Sequence, residues 1–321
     1  MVKSSLRLLA AAGLLAAAQG MAQAPDASGP VRLIVAGAPG SPPDTLARIV
    51  GDGQAGGVRF VVENRPGGLG TIAMSALAKA PADGRTLGIT SVSQAAAPNL
   101  LAQMPYDLAR DFSPVTQLAW TATVLVVRPS SSLKDVADLV ALAKARPGVL
   151  VYASAGTATP SHLAAELFRH RAGIEARHAP YKGIPAGLAA LVGGQVDFAF
   201  AGAAASLPLL RSGKLRALGT AGERRLPALP EVPTIAELGF AGYRLNEWFG
   251  VVAPAATPPE IVARHAVALA RSLALEETRQ RLAQLGLYPP DQLGPEAFGA
   301  LIRAELPRWR QITREAGIRA E

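Results

Sequence analysis

The chain has 321 residues, of which 50% are hydrophobic and 17% are charged, so it carries enough apolar side chains for sizeable cores and is not a disordered protein. It contains no cysteine, which excludes disulfides, thiolate metal sites and a cysteine nucleophile. The formal net charge is +8, but the basic residues are scattered along the chain rather than clustered, so no nucleic-acid partner is predicted.

The N-terminal segment is typical of a secretory signal peptide. Lys3 and Arg7 precede an apolar run of about eleven residues, and small residues follow it. Because a bilayer span needs ~20 apolar residues, this run is too short to cross a membrane. We predict that residues 1–24 are a signal peptide, cleaved after Ala22 or Ala24, and that the mature protein is periplasmic. An uncleaved N-terminal anchor is the alternative.

Beyond this segment, short β-type runs alternate with longer runs rich in alanine and leucine. Several of the short runs are continuously apolar, which is typical of strands covered on both faces. The alternation predicts βαβ units and mainly parallel sheets, and the length favours two domains of ~100–200 residues each. The predicted strands are 31–36, 59–63, 86–90, 124–128, 150–153, 176–180, 197–200, 215–220 and 249–253.

Several helix starts are marked by a hydroxyl residue followed by proline or an acidic residue. The segment 41–44 (SPPD) predicts a capping box with proline at the first helical position, and 257–260 (TPPE) repeats the design. Further helices are predicted to begin at Thr159, at 132–135 and at 234–237. Caps of this kind hold helix ends and by themselves indicate no function.

Motifs of catalysis and metal binding are missing from the sequence. The four histidines form no H-x-x-x-H or H-E-x-x-H pair, so neither a metal site nor a cofactor is predicted. The chain has no G-x-S-x-G nucleophile elbow and no G-x-x-x-x-G-K-[ST] phosphate loop. Ser131 and Lys134 match S-x-x-K, but the partner motifs of such enzymes are absent, and we interpret the match as the start of a capped helix.

Three loops that follow predicted strands are rich in small and hydroxyl residues, namely 37–41, 91–94 and 154–159. Two of them lead directly into predicted helices, whose N-termini attract carboxylates through free N–H groups and the helix dipole. In an open α/β sheet, ligands bind beyond the carboxyl ends of the strands. The loops are therefore either an anion-binding site or ordinary βα turns, and their residues alone leave both interpretations open.

A series of short segments, each weak alone, is specific in its order and spacing. The segments are 31–48 (VRLIVAGAPGSPPDTLAR), 62–70 (VENRPGGLG), 82–87 (ADGRTL), 105–107 with 111–115 (PYD and DFSPV), 152–162 (YASAGTATPSH), 180–183 (PYKG), 193–197 (GGQVD), 212–218 (SGKLRAL), 229–234 (LPEVPT), 248–250 (WFG) and 253–258 (APAATP). In these segments the chain resembles the substrate-binding proteins of tripartite tricarboxylate transporters, the Bug or TctC-type extracytoplasmic receptors.

The resemblance implies a type II periplasmic-binding-protein-like α/β fold, in which two α/β domains enclose a ligand cleft and crossing strands form the hinge. Domain I would comprise 30–123 plus 248–321, and domain II would comprise 124–247. The crossings would lie near 124–127 and 248–252. Such receptors hold a ligand carboxylate with backbone amides, hydroxyl groups and ordered waters from both domains, without catalysis, and deliver it to membrane permease subunits.

The same resemblance indicates the residues that bind the ligand. They are Pro39, Gly40 and Ser41 from the first domain, Ser91 and Ser93 at the cleft rim, and Ser154, Ala155, Gly156, Thr157 and Ala201 from the second domain. Asp44, Thr159 and His162 are assigned to helix capping and loop order. Ala201 stands where many family members carry an aspartate associated with amino-group binding, so a dicarboxylate or an aromatic acid is favoured over an amino acid.

Two other functions remain open at this point. An exported serine hydrolase would use Ser154 or Ser131 as its nucleophile and needs a base within hydrogen-bond reach, for which His162 is the candidate nearest to Ser154 in the sequence. A binding receptor used for signalling rather than uptake would have the same fold and the same cleft.

Overall fold

The computed structural model describes residues 29–52, 57–157, 159–315 and 317, so the predicted signal peptide lies outside the described residues. Within them no helix is both long enough and apolar enough to cross a membrane. The described strands are β1 (Val31–Val35), β2 (Phe60–Asn64), β3 (Thr86–Ser91), β4 (Phe112–Val127), β5 (Val151–Ser154), β6 (Arg177–Pro180), β7 (Phe198–Gly202), β8 (Arg216–Thr220) and β9 (Asn246–Pro254).

The helices cover the strands on both sides. They are α1 (Pro42–Asp52), α2 (Thr71–Ala78), α3 (Val92–Ala96), α4 (Val136–Ala145), α5 (Pro160–Ala172), α6 (Ile184–Val192), α7 (Ala203–Arg211), α8 (Pro259–Ala274), α9 (Glu276–Gln284) and α10 (Pro295–Glu315), with short 3₁₀ turns at Gly68–Gly70 and Ala97–Asn99. One buried cluster joins α2, α3 and α10 to α4 and α5, while α1, α8 and α9 share a second cluster and α6 and α7 a third.

The strands form two hydrogen-bonded sheets that share β4. In the order β2-β1-β3-β9-β4, strand β1 is parallel to β2 and β3, whereas β9 is antiparallel to both of its neighbours. In the second sheet, β5 is parallel to β6 and β7, whereas β4 is antiparallel to β7 and β8. The predicted βαβ units therefore describe the outer strands, and the strands around β4 are antiparallel.

Strand β4 is much longer than the predicted strand at 124–128. It has 16 residues, and its first part contains Pro114 and several polar residues that interrupt the apolar pattern read from the sequence. Residues up to Ala122 pair with β9, and from Thr123 onward β4 pairs with β7 and β8. This change of partner adjoins the predicted boundary between residues 123 and 124, and the division into two domains stays a prediction.

Four predicted helix starts differ from the structure. The segment 132–135 precedes α4 instead of opening it, because Asp135 is the N-cap and the helix begins at Val136. The hydroxyl groups of Ser41 and Thr257 are buried without a hydrogen-bond partner among the described residues, so the two predicted capping boxes do not form. Helix α8 begins after Pro258 instead of Thr257. At 234–237 the reciprocal bonds do form, because Glu237 N–H donates to Thr234 Oγ1 at 3.1 Å, but the segment is only a turn.

Candidate functional site

The carboxyl ends of the parallel strands face each other across the middle of β4. Ser91, at the end of β3, pairs with Phe249, which in turn pairs with Ala119 of β4. Gly202, at the end of β7, pairs with Thr123 of the same strand. Since a strand rises ~3.3 Å per residue, the four-residue step along β4 offsets these two ends by about 13 Å in the strand direction. The gap between them is the candidate site, because ligands of open α/β sheets bind beyond the carboxyl ends of the strands.

A buried carboxylate holds the loop between β1 and α1. Asp44, 2% exposed, accepts hydrogen bonds from Gly40 N–H at 2.8 Å, Asn64 Nδ2 at 2.9 Å and Arg48 Nε at 3.1 Å. Burial by itself raises the pKa of Asp44, but the hydrogen bonds from Arg48, Gly40 and Asn64 outweigh it and keep that pKa below its ordinary value. Asn64 also donates to Gly37 O at 3.0 Å, so the end of β2 fixes the loop as well.

The start of α1 offers fewer N–H groups than the sequence suggested. Its first two residues are prolines, which have no amide hydrogen. The amide of Gly40 is already bonded to Asp44, and that of Ser41 donates to Ala38 O at 3.1 Å. Pro39 and Gly40, two of the predicted ligand residues, are exposed. A ligand at this loop therefore meets its exposed edge rather than the first turn of the helix.

The loop between β5 and α5 is tied by its own side chains. Ser161 Oγ accepts the amide of Ala155 at 2.9 Å, and Thr159 Oγ1 donates to Gly156 O at 2.6 Å rather than capping α5. Gly156 has a φ of +121°, a conformation that favours glycine. Ala155 and Gly156 are partly exposed, and Thr157 is exposed. The loop thus keeps one conformation with these three residues at its surface.

Ser154 lies beneath this loop and bonds to a histidine from β6. Its Oγ is 2.6 Å from His178 Nε2, and Ser154 is 0% exposed. His178 stacks on His162, with ring centroids 4.3 Å apart, and on Tyr152 at 4.9 Å. Burial lowers the pKa of His178, and burial together with the neighbouring His178 lowers the pKa of His162 to about 4. Both rings are therefore mainly neutral at neutral pH.

Ser91 caps α3 instead of presenting a free hydroxyl. Its Oγ accepts the amide of Ser93 at 3.3 Å and lies 2.9 Å from Gln94 Oε1, which also accepts the amide of Ser91 at 2.8 Å. Gln94 Nε2 donates to Leu69 O at 2.9 Å, so the loop after β2 is docked here too. Leu69 has a φ of +52°, which is uncommon for a residue with a side chain. Ser93 is partly exposed.

At the end of β7, the predicted ligand residue Ala201 is 0% exposed. The carboxyl group of Glu247, which the sequence did not single out, lies beside the next residue, Gly202. Its Oε1 is 3.9 Å from the place that a Cβ atom on Gly202 would occupy. Glu247 pairs with Thr121 of β4 and keeps partial solvent access. Burial raises the pKa of Glu247 to about 7.

Sequence reasoning missed four polar residues around the gap, namely Asn64, Gln94, His178 and Glu247. Asn64 ends β2, a position that signals a role at a sheet edge. Gln94 lies in α3 and forms a capping box with Ser91, a signal that the S-x-x-Q spacing carries. His178 gives no such signal, because its pairing with Ser154 depends on the parallel register of β5 and β6. Within the described residues, no three acidic or histidine side chains gather where they would hold a metal ion.

Two sheets that share a long central strand, with loops from both facing one gap, define the class of solute-binding receptors that close around a ligand. The family model of the tripartite tricarboxylate transporter family receptor, TctC, matches residues 46–318. The chain is 35% identical to protein BugT from Bordetella pertussis over 97% of this chain and 98% of BugT. It is 36% identical to a UPF0065 protein from the tcbD-tcbE intergenic region of a Pseudomonas species, over 91% and 88% of the two chains. The chain belongs to the TctC receptor family.

Solved structures of similar proteins share this fold. R. palustris Rpa4515 with adipate is 36% identical, with a TM-score of 0.80 over 91% of this chain and 98% of that one. MatC from Rhodopseudomonas palustris with bound malate is 32% identical, with a TM-score of 0.76 over 88% and 98%. The periplasmic binding protein BugD is 28% identical, with a TM-score of 0.79 over 91% and 99%. The predicted binding-protein fold and solute-receptor function are confirmed, and the hydrolase and signalling alternatives gain no support.

Proposed function

We propose that this receptor is periplasmic and captures a small carboxylate in the gap across β4, with a dicarboxylate or an aromatic acid favoured over an amino acid, for delivery to membrane permease subunits. The observation that carries the proposal is the pair of internally bonded loops on opposite sides of the gap, one held by Asp44 and one by Ser161. The adipate and malate in the structures of two relatives support a dicarboxylate as the first choice.

The exposed and partly exposed residues around the gap are the proposed ligand contacts. They are Pro39, Gly40 and Ser41 on the first side, Ser93 at the rim, and Ala155, Gly156 and Thr157 on the second side. The buried residues of the predicted set, Ser91, Ser154 and Ala201, shape the site from behind, together with Asp44, Thr159 and His162. A ligand that touches both loops favours their approach, so binding and closure form one equilibrium.

We further propose that the receptor catalyses no reaction. Ser154 and His178 have the spacing of a nucleophile and its base, but the serine is completely buried and its hydroxyl is engaged within the loop. A substrate carbonyl therefore has no route to Ser154 Oγ. We expect no turnover of p-nitrophenyl acetate or butyrate above that of the Ser154→Ala variant. Turnover that disappears in Ser154→Ala would contradict this proposal.

The first test of the function is native mass spectrometry of the mature protein purified without refolding. A small acid that is retained in the native spectrum and released on denaturation supports the proposal and identifies the ligand. Titration calorimetry with adipate, malate, benzoate and glutamate then ranks the classes. Binding of glutamate alone would overturn the preference for acids without an amino group. A mature mass that starts after Ala22 or Ala24 would support export.

A matched pair of glycine variants tests the position of the site. In Gly156→Ala the new side chain is strained at a φ of +121° and distorts the second loop, so adipate affinity should fall at least tenfold. Gly173→Ala introduces a side chain at a φ of +60° at the end of α5, with no atom within 4 Å of its Cβ, and should bind adipate like the wild type. Equal affinities for both variants would place the ligand elsewhere.

A further inference from the structure

A carboxyl group lies midway between the two sides of the proposed site. Along β4, the end of β3 corresponds to residue 119 and the end of β7 to residue 123, and Glu247 pairs with Thr121 between them. The Glu247 side chain extends towards the end of β7, because its Oε1 is 3.9 Å from the position of a Cβ atom on Gly202. An acid that bridges the two loops therefore passes this carboxyl group.

Glu247 has no partner within the described part of the chain, since no residue there donates a hydrogen bond to its carboxyl group or forms an ion pair with it. Opposite it, Thr121 donates its hydroxyl to a backbone carbonyl, and α7 begins with the uncharged segment 203–205. The charged residues near the start of β9, Arg244 and Glu223, pair with each other at 2.9 Å on the exposed surface. An unpaired, mostly buried carboxyl group is costly, so its position indicates an interaction with a ligand.

We propose that Glu247 binds the ligand as a neutral acid and donates a hydrogen bond to a ligand carboxylate, so that binding of a dianion takes up one proton. The proposal rests on the proposed function as a dicarboxylate receptor. An ionised Glu247 would repel the dianion, whereas the neutral acid donates from its O–H group. Gly202 leaves α7 without a side-chain cap, and the N–H groups of that helix start favour an anion at the same place.

Of the four titratable groups Glu247, Asp44, His162 and His178, Glu247 is the one whose charge changes above pH 7. Burial alone raises its pKa to about 7, so protonation near neutral pH costs little, and a nearby carboxylate raises it further. The pKa of Asp44 lies below its ordinary value, and this residue stays ionised beside Arg48. The pKa of His162 is about 4 and that of His178 lies below its ordinary 6.5, so both histidines stay mainly neutral.

The test is calorimetric titration of the full mature receptor with adipate, or with malate if adipate does not bind, from pH 7 to pH 8.5. Since the neutral form of Glu247 binds the dianion, wild-type affinity should fall roughly tenfold per pH unit above the pKa. Titration in two buffers of different ionisation enthalpy should give an uptake of nearly one proton at pH 8.5. In Glu247→Gln the amide replaces the neutral acid as donor, so affinity should be independent of pH and proton uptake should vanish.

Exposed Glu231 supplies the matched control, because Glu231→Gln removes the same charge away from the gap and should keep the wild-type pH profile. Wild-type affinity that is constant or rises with pH would overturn the inference and leave the receptor function standing. Loss of binding in a folded Glu247→Gln at pH 7 would do the same, because it would show that the carboxylate accepts a hydrogen bond instead of donating one. Failure of the wild type to bind either dicarboxylate at any pH would overturn both proposals.

Discussion

Asp44→Ala should loosen the first loop and destabilise the receptor. The carboxylate accepts hydrogen bonds from Gly40, Asn64 and Arg48, and each such bond to a charged acceptor contributes ~1.5–3 kcal/mol when no other partner replaces it. Gly40 is exposed, so water replaces the carboxylate there, and Asn64 keeps its bond to Gly37 O at 3.0 Å. We therefore expect a loss of about 2 kcal/mol, well below the sum of three full bonds.

The assay is thermal and urea unfolding of the mature protein at pH 7. A loss of about 2 kcal/mol lowers the melting temperature of a domain of this size by ~4–8 °C. Arg48→Ala is the matched control, because its side chain is 51% exposed and it removes one solvent-accessible partner, so its effect should be much smaller. Equal midpoints for wild type and Asp44→Ala would show that the carboxylate does not hold the loop.

The pH dependence of the stability of wild type and Asp44→Ala gives an independent check of the role of this carboxylate. The folded pKa of Asp44 lies below the ordinary value of 3.8, so its contribution to stability is fully present above pH 3.8 and is lost as the pH falls through the folded pKa. The difference in stability between wild type and Asp44→Ala should therefore be constant from pH 7 to pH 5 and shrink below 3.8. A difference that grows on acidification would contradict the hydrogen-bond account.

Two further predictions concern the core. In Gly250→Ala the added Cβ collides with the buried ring of Phe298, which should lower the free energy of unfolding in urea by roughly 1–3 kcal/mol. In Gly299→Ala on α10 the added Cβ meets the flexible Arg303 at 3.2 Å and the Pro114 ring at 3.4 Å, so this variant should be neutral or slightly stabilising. The reverse order of stabilities would refute this packing. His162 has a folded pKa of about 4 against an ordinary 6.5, so unfolding takes up a proton and stability falls as the pH drops from 6.5 to 4. His162→Phe should flatten this dependence of the free energy of unfolding on pH. An unchanged dependence would exclude His162 as its source.

The sequence identified the outer strands and the loops after them, since apolar runs followed by small residues are a local signal. It missed the length of β4, because Pro114, Thr116 and Gln117 break the apolar pattern at places where β4 and β9 lose register. A β-bulge allows such residues inside a long strand, and the pattern that reveals it lies in the partner strand. The antiparallel strands at the centre were unpredictable for the same reason, because pairing between β4 and β9 joins segments more than a hundred residues apart.

In the candidate site, too, the sequence indicated residues but did not reveal bonding partners that are distant in the chain. Ser91 and Ser154 are hydroxyl residues at the ends of β3 and β5, and the sequence placed both in the predicted site without showing what they bond to. Ser91 forms a local capping box with Gln94, whereas the bond of Ser154 to His178 joins two strands and depends on their register. The proline pair after Ser41 also shows that a helix start next to a strand is not by itself an anion site, because the amides that would bind are missing.

The internal bonding of the two loops suits the small ligand that we propose. A small molecule gains at most ~1.5 kcal/mol per heavy atom on binding, and drug-sized ligands gain far less per atom. Fixing the backbone of one flexible residue costs ~1–2 kcal/mol, so ordering two loops of five residues would cost roughly 10–20 kcal/mol, more than the ~8 kcal/mol that micromolar binding provides. Bonds such as Gly40 to Asp44 and Ala155 to Ser161 impose that order during folding. The free energy of ligand contact is then available for bringing the two sides of β4 together, which is the step on which a receptor of this class depends.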